Sequence, residues 1–323
     1  MNIQEPGLWS LSFTSPGRLR TIVPVLRSGI VAAEFCQPPG RADVTHVFER
    51  SFYLRAGDTF ICVGDAAIGI GPLTLLAEFG AHRRAADFGL MPGDPAFIRD
   101  DRIVLGTVAF TLDRCAPWRP PAWPRARSTV LLAHARDAIV RLAASEAPED
   151  GFGRAMSGTN EGGTVLARAA RKRIAVFESW LTDTIHADGA SLAALPDPVR
   201  DLIGLGPGLT PSGDDFLIGA LALLDALAQR RAYVALSRAL VHIPRGLTSP
   251  LSHCFLRTAA AGHVGENLHR AISAIISGHV DAAIAAIRNV GHGSGWDMMA
   301  GIASALGVVL AIPSRSRAGP TVG

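Results

Sequence analysis

The sequence predicts an α+β fold: a β-rich N-terminal domain followed by an all-helical C-terminal domain. Three observations predict it. Short apolar runs bounded by Gly, Pro, Asp and Arg fill the first third of the chain. Four prolines crowd residues 117–124 and form a stiff connector. After Ser128 the apolar residues recur at helical spacing. The expected division is therefore 1–124 for the β-rich domain, 125–314 for the helical domain, and 315–323 for a polar, frayed tail.

Within the first domain, strands are expected at 21–26, 29–35, 59–63, 68–76 and 103–112, with a turn at Arg55-Ala56-Gly57-Asp58. The stretch 72–79 suits a short helix or a strand. In the second domain, Ser128 caps a helix reaching Ala144. Another helix runs from about Thr164 to Thr182 on the stripe Leu166, Ala169, Ala170, Ile174, Phe177 and Leu181. The glycine-rich 157–163 stretch between them reads as a connector. Pro250, preceded by Thr248 and Ser249, opens a helix that stops at Gly262. Further helices are expected from Glu266 to Ser277, from Val280 to Val290, and from Ser294 to before Pro313.

Composition narrows the function. Of 323 residues, 48% are hydrophobic and 18% charged, so a large core is expected rather than disorder. The formal net charge of +3 gives neither half a basic surface, which argues against nucleic acid. The start of the chain does not read as a secretory signal. The longest uncharged apolar run, 298–312, is short for a bilayer and reads as a buried helix, so no membrane partner is expected. Cys36, Cys62, Cys115 and Cys254 are widely spaced and form no zinc or disulfide pattern. A soluble cytoplasmic protein is the expectation.

Lys172 is the only lysine, in a charged stretch on a solvated helix face. That leaves no P-loop lysine and no natural seat for PLP or biotin. The pair Gly69 and Gly71 is too weak to make an NAD fingerprint, so no NAD is expected either.

The least ordinary segment is Gly204-Leu205-Gly206-Pro207-Gly208-Leu209-Thr210-Pro211-Ser212-Gly213-Asp214-Asp215, which enters a long apolar run. A glycine-rich loop at a helix start offers backbone N–H groups and the positive end of a dipole, a seat for a small anion. Its pattern recurs 82 residues later. Ser212-Gly213-Asp214-Asp215 with Gly219 aligns with Ser294-Gly295-Trp296-Asp297 with Gly301. The plain explanation of each copy is a capping box, serine at N-cap and acid at N3. Two copies, each with a glycine one turn on, suggest instead that two helix heads pack together and gather Asp214, Asp215 and Asp297. These acids are candidates for acid/base work, or for a magnesium ion held by oxygen ligands. His292 precedes the second copy and is a candidate acid/base. Ser249 and Ser252 flank a helix start and either cap it or bind an anion.

The 204–217 motif, together with His292-Gly293-Ser294-Gly295-Trp296-Asp297, resembles the family of the oxamate carbamoyltransferase small subunit. The helix from Thr248 to Gly262, with Ser252 and Ala259, fits it too. The resemblance covers about 202–310 and is vague before Pro124. It implies a subunit of a multi-protein transferase interconverting oxalurate plus phosphate with oxamate plus carbamoyl phosphate. It also implies an acyl-CoA-synthetase-like partner among other subunits. On that reading Gly206, Gly208, Thr210, Ser212 and Gly213 form an anion-binding loop for phosphate, oxamate or carbamoyl phosphate. Ser294, Gly295 and Trp296 flank it. The alternatives are a non-catalytic assembly subunit and a small-anion-binding module.

Overall fold

The computed structural model describes residues 21–80, 84–99, 101–125, 128–157, 164–187, 195–291 and 293–312. His292, the 158–163 part of the glycine-rich connector and the tail after 312 lie outside them.

The N-terminal part is built from β1 (Thr21–Ser28), β2 (Gly40–Val47), β3 (Ser51–Ala56), β4 (Thr59–Gly64), β5 (Thr74–Ala77), β6 (Pro95–Arg99), β7 (Arg102–Leu105) and β8 (Val108–Thr111). They pair in the order β5-β4-β3-β2-β6-β7-β8-β1, and β1 also pairs with β5. The sheet therefore closes into an eight-stranded barrel. A short β9 (Ala116–Pro117) adds to β1. Eight strands leave an interior that side chains can fill. Phe52 and Phe110 meet there at 5.3 Å between ring centroids, beside Leu54, Ile61, Leu75, Ile98 and Ile103.

Two tight turns set the hairpin registers. Ala56 pairs with Thr59 across Gly57-Asp58, and Leu105 pairs with Val108 across Gly106-Thr107. Gly57 (φ +59°) and Gly106 (φ +54°) each take the left-handed first turn position that side chains resist.

One strand expectation fails. Residues 29–35 form a short helix, α1 (Ile30–Phe35), because the amides of Val31 and Ala32 both bond to the Pro72 carbonyl. Gly29 lies so close to the carbonyls of Gly71 and Pro72 that a Cβ there would overlap them. The 68–76 run starts on the last residue of a one-turn helix, Ala66–Ile68, and becomes strand only at β5 from Thr74, and 103–112 is a hairpin rather than one strand.

Among the described residues no strand follows Pro117. The helices are α2 (Thr129–Glu146), α3 (Phe152–Ser157), α4 (Val165–His186), α5 (Asp197–Arg200), α6 (Ser212–Ala226), α7 (Arg230–Val241), α8 (Pro250–Ala260), α9 (Glu266–Ile276), α10 (Val280–Ile287) and α11 (Ser294–Ala311). The caps at Ser128, Thr164 and Ser249 all form as side-chain bonds. α6 is buried from Ser212 to Leu224 and is the axis of the domain. α11 is long and apolar enough to cross a membrane, but 67% of it is buried and it lies along α6. That burial is a sufficient reason for its apolarity.

The barrel docks through the outer face of β4 and the residue just before β5. Phe60 and Leu73 pack on Leu251 and Cys254 of α8. This is why 60–64 is buried on both faces: Ile61 and Val63 point into the barrel, and Phe60 toward the helices.

Candidate functional site

The two Ser-Gly-x-Asp segments begin α6 and α11, and they meet. Neither forms a capping box. The N-caps are Pro211 and Gly293, so Ser212 and Ser294 are already the first helical residues, and neither cap makes a side-chain bond. The acids instead reach across. The Asp215 carboxyl takes hydrogen-bonding help from Ser294 and Thr210, and Asp297 takes it from Ser212. Thr210 and Ser294 are themselves linked at 3.2 Å. Each helix head thus lends its serine to the other's acid.

The glycines one turn on allow this exchange. A Cβ at Gly219 would overlap the Met298 carbonyl, and one at Gly301 would overlap the Phe216 carbonyl. Each of those carbonyls belongs to the residue just after the acid. Gly213 and Gly295 are equally confined, against the carbonyls of Leu202 and Ile287. The repeated motif therefore encodes a backbone-to-backbone crossing of two helices, with an approximate two-fold relation between them.

The three acids have different surroundings. Asp214, fully buried, is saturated: Oδ1 accepts from the Gly204 amide at 2.8 Å, and Oδ2 accepts from Ser252 at 2.6 Å and from Thr248. It ties the glycine loop to the start of α8. Burial raises its pKa, and the bonds from Ser252, Thr248 and Gly204 oppose the rise. Asp297 accepts from the Phe152 amide at 2.6 Å and so caps α3 from a distance. Burial raises its pKa as well, against the bonds from Ser212, Phe152 and Gly153.

Asp215 is only 2% exposed. Its Oδ2 is buried with no hydrogen-bond partner among the described residues. Burial above all drives its pKa well above the ordinary 3.8; the Ser294 bond opposes this, and the Asp297 charge adds to it. Such a rise favours the protonated form.

Three expectations change here. First, no group of three or more His, Cys, Asp or Glu among the described residues is placed to hold a metal. Asp214 turns to α8 and Asp297 to α3, so the magnesium site does not fit. Second, the amides of Gly213, Asp214 and Asp215 in the first turn of α6 have acceptors within the fold. The Gly213 amide bonds to Leu205, and those of Asp214 and Asp215 bond to Pro211. The start of α11 repeats this, with Gly295 on Val290 and both Trp296 and Asp297 on Gly293. These six amides are therefore taken up within the fold and are not donors for an anion. Gly206 (φ +118°) and Gly208 (φ +99°) instead allow a left-handed loop path. Third, Trp296 is packed in the core against Gly153. Ser249 caps α8 and donates to the Leu209 carbonyl at 2.5 Å, while Ser252 serves Asp214.

A cavity of about 460 Å³ lies between barrel and helices, next to the crossing. Ile218 of α6 and Met298 of α11 line one wall, Gly69 and Gly71 of the barrel another, with Tyr53, Thr258, Asn267 and Asn289 supplying polar groups. Tyr53 links cavity and acids. Burial raises its phenol pKa well above 10.0, followed by Cys62, and the Asp215 charge adds to the rise. Sequence reasoning missed these residues. The one available signal was the Gly69/Gly71 pair, where φ +74° at Gly69 places its Cα against the Asn267 side chain.

Asp214→Asn is expected to cost about 1–2 kcal/mol, because one of three buried donors loses its acceptor. Urea unfolding checks this, and turnover per folded molecule should stay near wild type.

Fold and site together define an α+β protein in which a closed barrel is set on a helical domain built around two crossed, acid-bearing helix heads. Residues 202–306, which hold both heads, match the family model for oxamate carbamoyltransferase subunit AllH. The resemblance drawn from the motifs is thereby shown over that span. The family is a subunit of an enzyme. No solved structure matches the chain.

Proposed function

We propose that this chain works as a subunit of an oxamate carbamoyltransferase-type complex, and that Asp215, behind the Tyr53 wall of the interdomain cavity, handles the proton of the reaction. The observation that carries this is the buried Asp215 Oδ2 without a partner among the described residues. A buried carboxyl that favours its protonated form is suited to general-acid work.

In the forward direction a phosphate oxygen bonds to the ureido carbon of oxalurate. The bond from that carbon to the oxamate nitrogen breaks, and the nitrogen takes a proton. The proposed source of that proton is Asp215, which is restored by the proton that hydrogen phosphate gives up as its oxygen bonds to the carbon; the reverse reaction runs the same exchange backwards. The hydroxyl and amide groups of Tyr53, Thr258, Asn267 and Asn289 suit a small, strongly hydrogen-bonding substrate. An acyl-CoA-synthetase-like protein and further subunits complete the proposed complex in the cytoplasm.

The second reading is a non-catalytic assembly or anion-binding subunit. It is favoured by the structural bonds of Asp214 and Asp297. Phosphate-dependent carbamoyl transfer decides between them, assayed with this chain alone, with its co-purifying partners, and with Asp215→Asn in the same complex. Turnover that requires the chain and collapses with the variant is expected. A fully active complex carrying the variant would assign the chain to assembly.

A further inference from the structure

The lining of the interdomain cavity determines what it can hold. Its volume of about 460 Å³ suits a small molecule. Much of the wall is apolar, with Ile68, Ile70, Ile218, Phe255 and Met298 among its side chains. In such surroundings an unpaired ion costs far more than an amide that finds hydrogen bonds.

The ionisable groups described on the wall are Tyr53, Cys62, His263 and Glu266. Burial foremost raises the Tyr53 phenol well above 10.0 and pushes the Cys62 thiol up to about 11, so both stay protonated and uncharged. The Glu266 carboxylate is engaged by Arg27 of β1 at 3.5 Å. No arginine or lysine is among the described residues of the wall. An anion there meets a carboxylate, and a cation meets a carboxylate that already has its partner.

Two side-chain amides supply polar contacts of the neutral kind. Asn267, in the first turn of α9, lies across Gly69: a Cβ at that glycine would stand 2.8 Å from Asn267 Nδ2. Gly69 thus leaves the space that the amide occupies. The Asn267 amide makes no hydrogen bond to the described residues. Asn289 donates from Nδ2 to the Ala285 carbonyl at 3.2 Å, which leaves its Oδ1 as an acceptor. A side-chain amide can pair at two points with another planar amide, donating one hydrogen bond and accepting another.

We propose that the interdomain cavity recognises an uncharged carboxamide or ureido group, paired at two points with the Asn267 side chain and donating an N–H to Asn289. This rests on the reading of the cavity as the substrate site and narrows it. Of a substrate with one charged end and one amide end, the cavity takes the amide end. Asn267 is then the residue that sets specificity.

The test titrates acetylurea, an uncharged ureide, and malonate, a dianion of similar size, against the full chain. Ionic strength is held constant at about pH 8, where a histidine side chain is ordinarily neutral. Calorimetry reads the affinities. Saturable acetylurea binding is expected, with malonate at least about tenfold weaker. Asn267→Asp keeps the size, removes the donor and adds a charge next to Glu266, so it should weaken acetylurea about tenfold or more. Asn267→Ala should weaken it as well. Should both variants fail to fold, the comparison of the two ligands on the wild type carries the test. Malonate bound as tightly as acetylurea, acetylurea affinity unchanged in the folded Asn267 variants, or no saturable acetylurea binding would overturn the proposal. The readout is binding without turnover, so it fails separately from the proton assignment. A complex still active with Asp215→Asn overturns that assignment alone, and a preference for malonate overturns the amide pocket alone.

Discussion

Asp215→Asn is expected to lower turnover of the proposed complex by about 10²–10⁴, the range lost when a positioned proton donor is removed. Asn has the size of the protonated carboxyl and cannot ionise, so the fold should persist. The melting behaviour supplies an independent reading. Burial foremost raises the Asp215 pKa above its unfolded value, while Ser294 and Thr210 pull the other way. A group raised in the folded state contributes stability that is fully present below its unfolded pKa. That stability is lost as pH rises through the folded pKa. The variant lacks this loss. Its melting temperature should therefore match wild type near pH 4 and exceed it increasingly toward neutral and alkaline pH. The measurement is a series of paired melts across pH, beside initial rates. A difference that stays flat with pH would mean the carboxyl ionises normally in the fold, and the general-acid assignment would go with it.

Gly301→Ala should be among the most damaging conservative changes in the helical domain. The added methyl meets the Phe216 carbonyl of α6, and the Ala220 amide stands only 2.8 Å from its position. Backbone cannot rotate away as a side chain can, so the helices must separate along their whole contact. Overpacking of this kind costs about 1–3 kcal/mol and occasionally more, and the upper end is expected here. Separation would also pull Ser294 from Asp215 and Ser212 from Asp297. Gly219→Ala makes the same clash from the other side, on Met298. The double variant should therefore cost less than the sum of the singles, because one separation relieves both. Gly40→Ala is the control: its nearest neighbour would be 3.9 Å away, and a change within about 0.5 kcal/mol is expected. Denaturant midpoints of the four variants give the comparison. A Gly301→Ala protein as stable as Gly40→Ala would contradict the close crossing.

The sequence by itself determined the division into a strand-rich and a helical part, because periodicity and turn residues are local signals. It determined most helix starts, since Ser128, Thr164 and Ser249 act through bonds to amides three residues away or fewer. It also marked the two acid-bearing helix heads through their repeated spacing. Tertiary structure alone decided what that repeat is for. The exchange of serines between Asp215 and Asp297 spans 82 residues of chain, and the local reading, a capping box, is the one the packed helices replace. Closure of the barrel depends on β1 meeting β5, a pairing with no local signature. α1 is helical because Pro72 holds its first amides, although its Val and Ile content suits a strand. Asp214 and Asp215 are adjacent in sequence and look alike there. Successive helix residues point about 100° apart, so one is turned to Ser252 and Thr248 and satisfied, while its neighbour keeps one buried oxygen with no partner among the described residues.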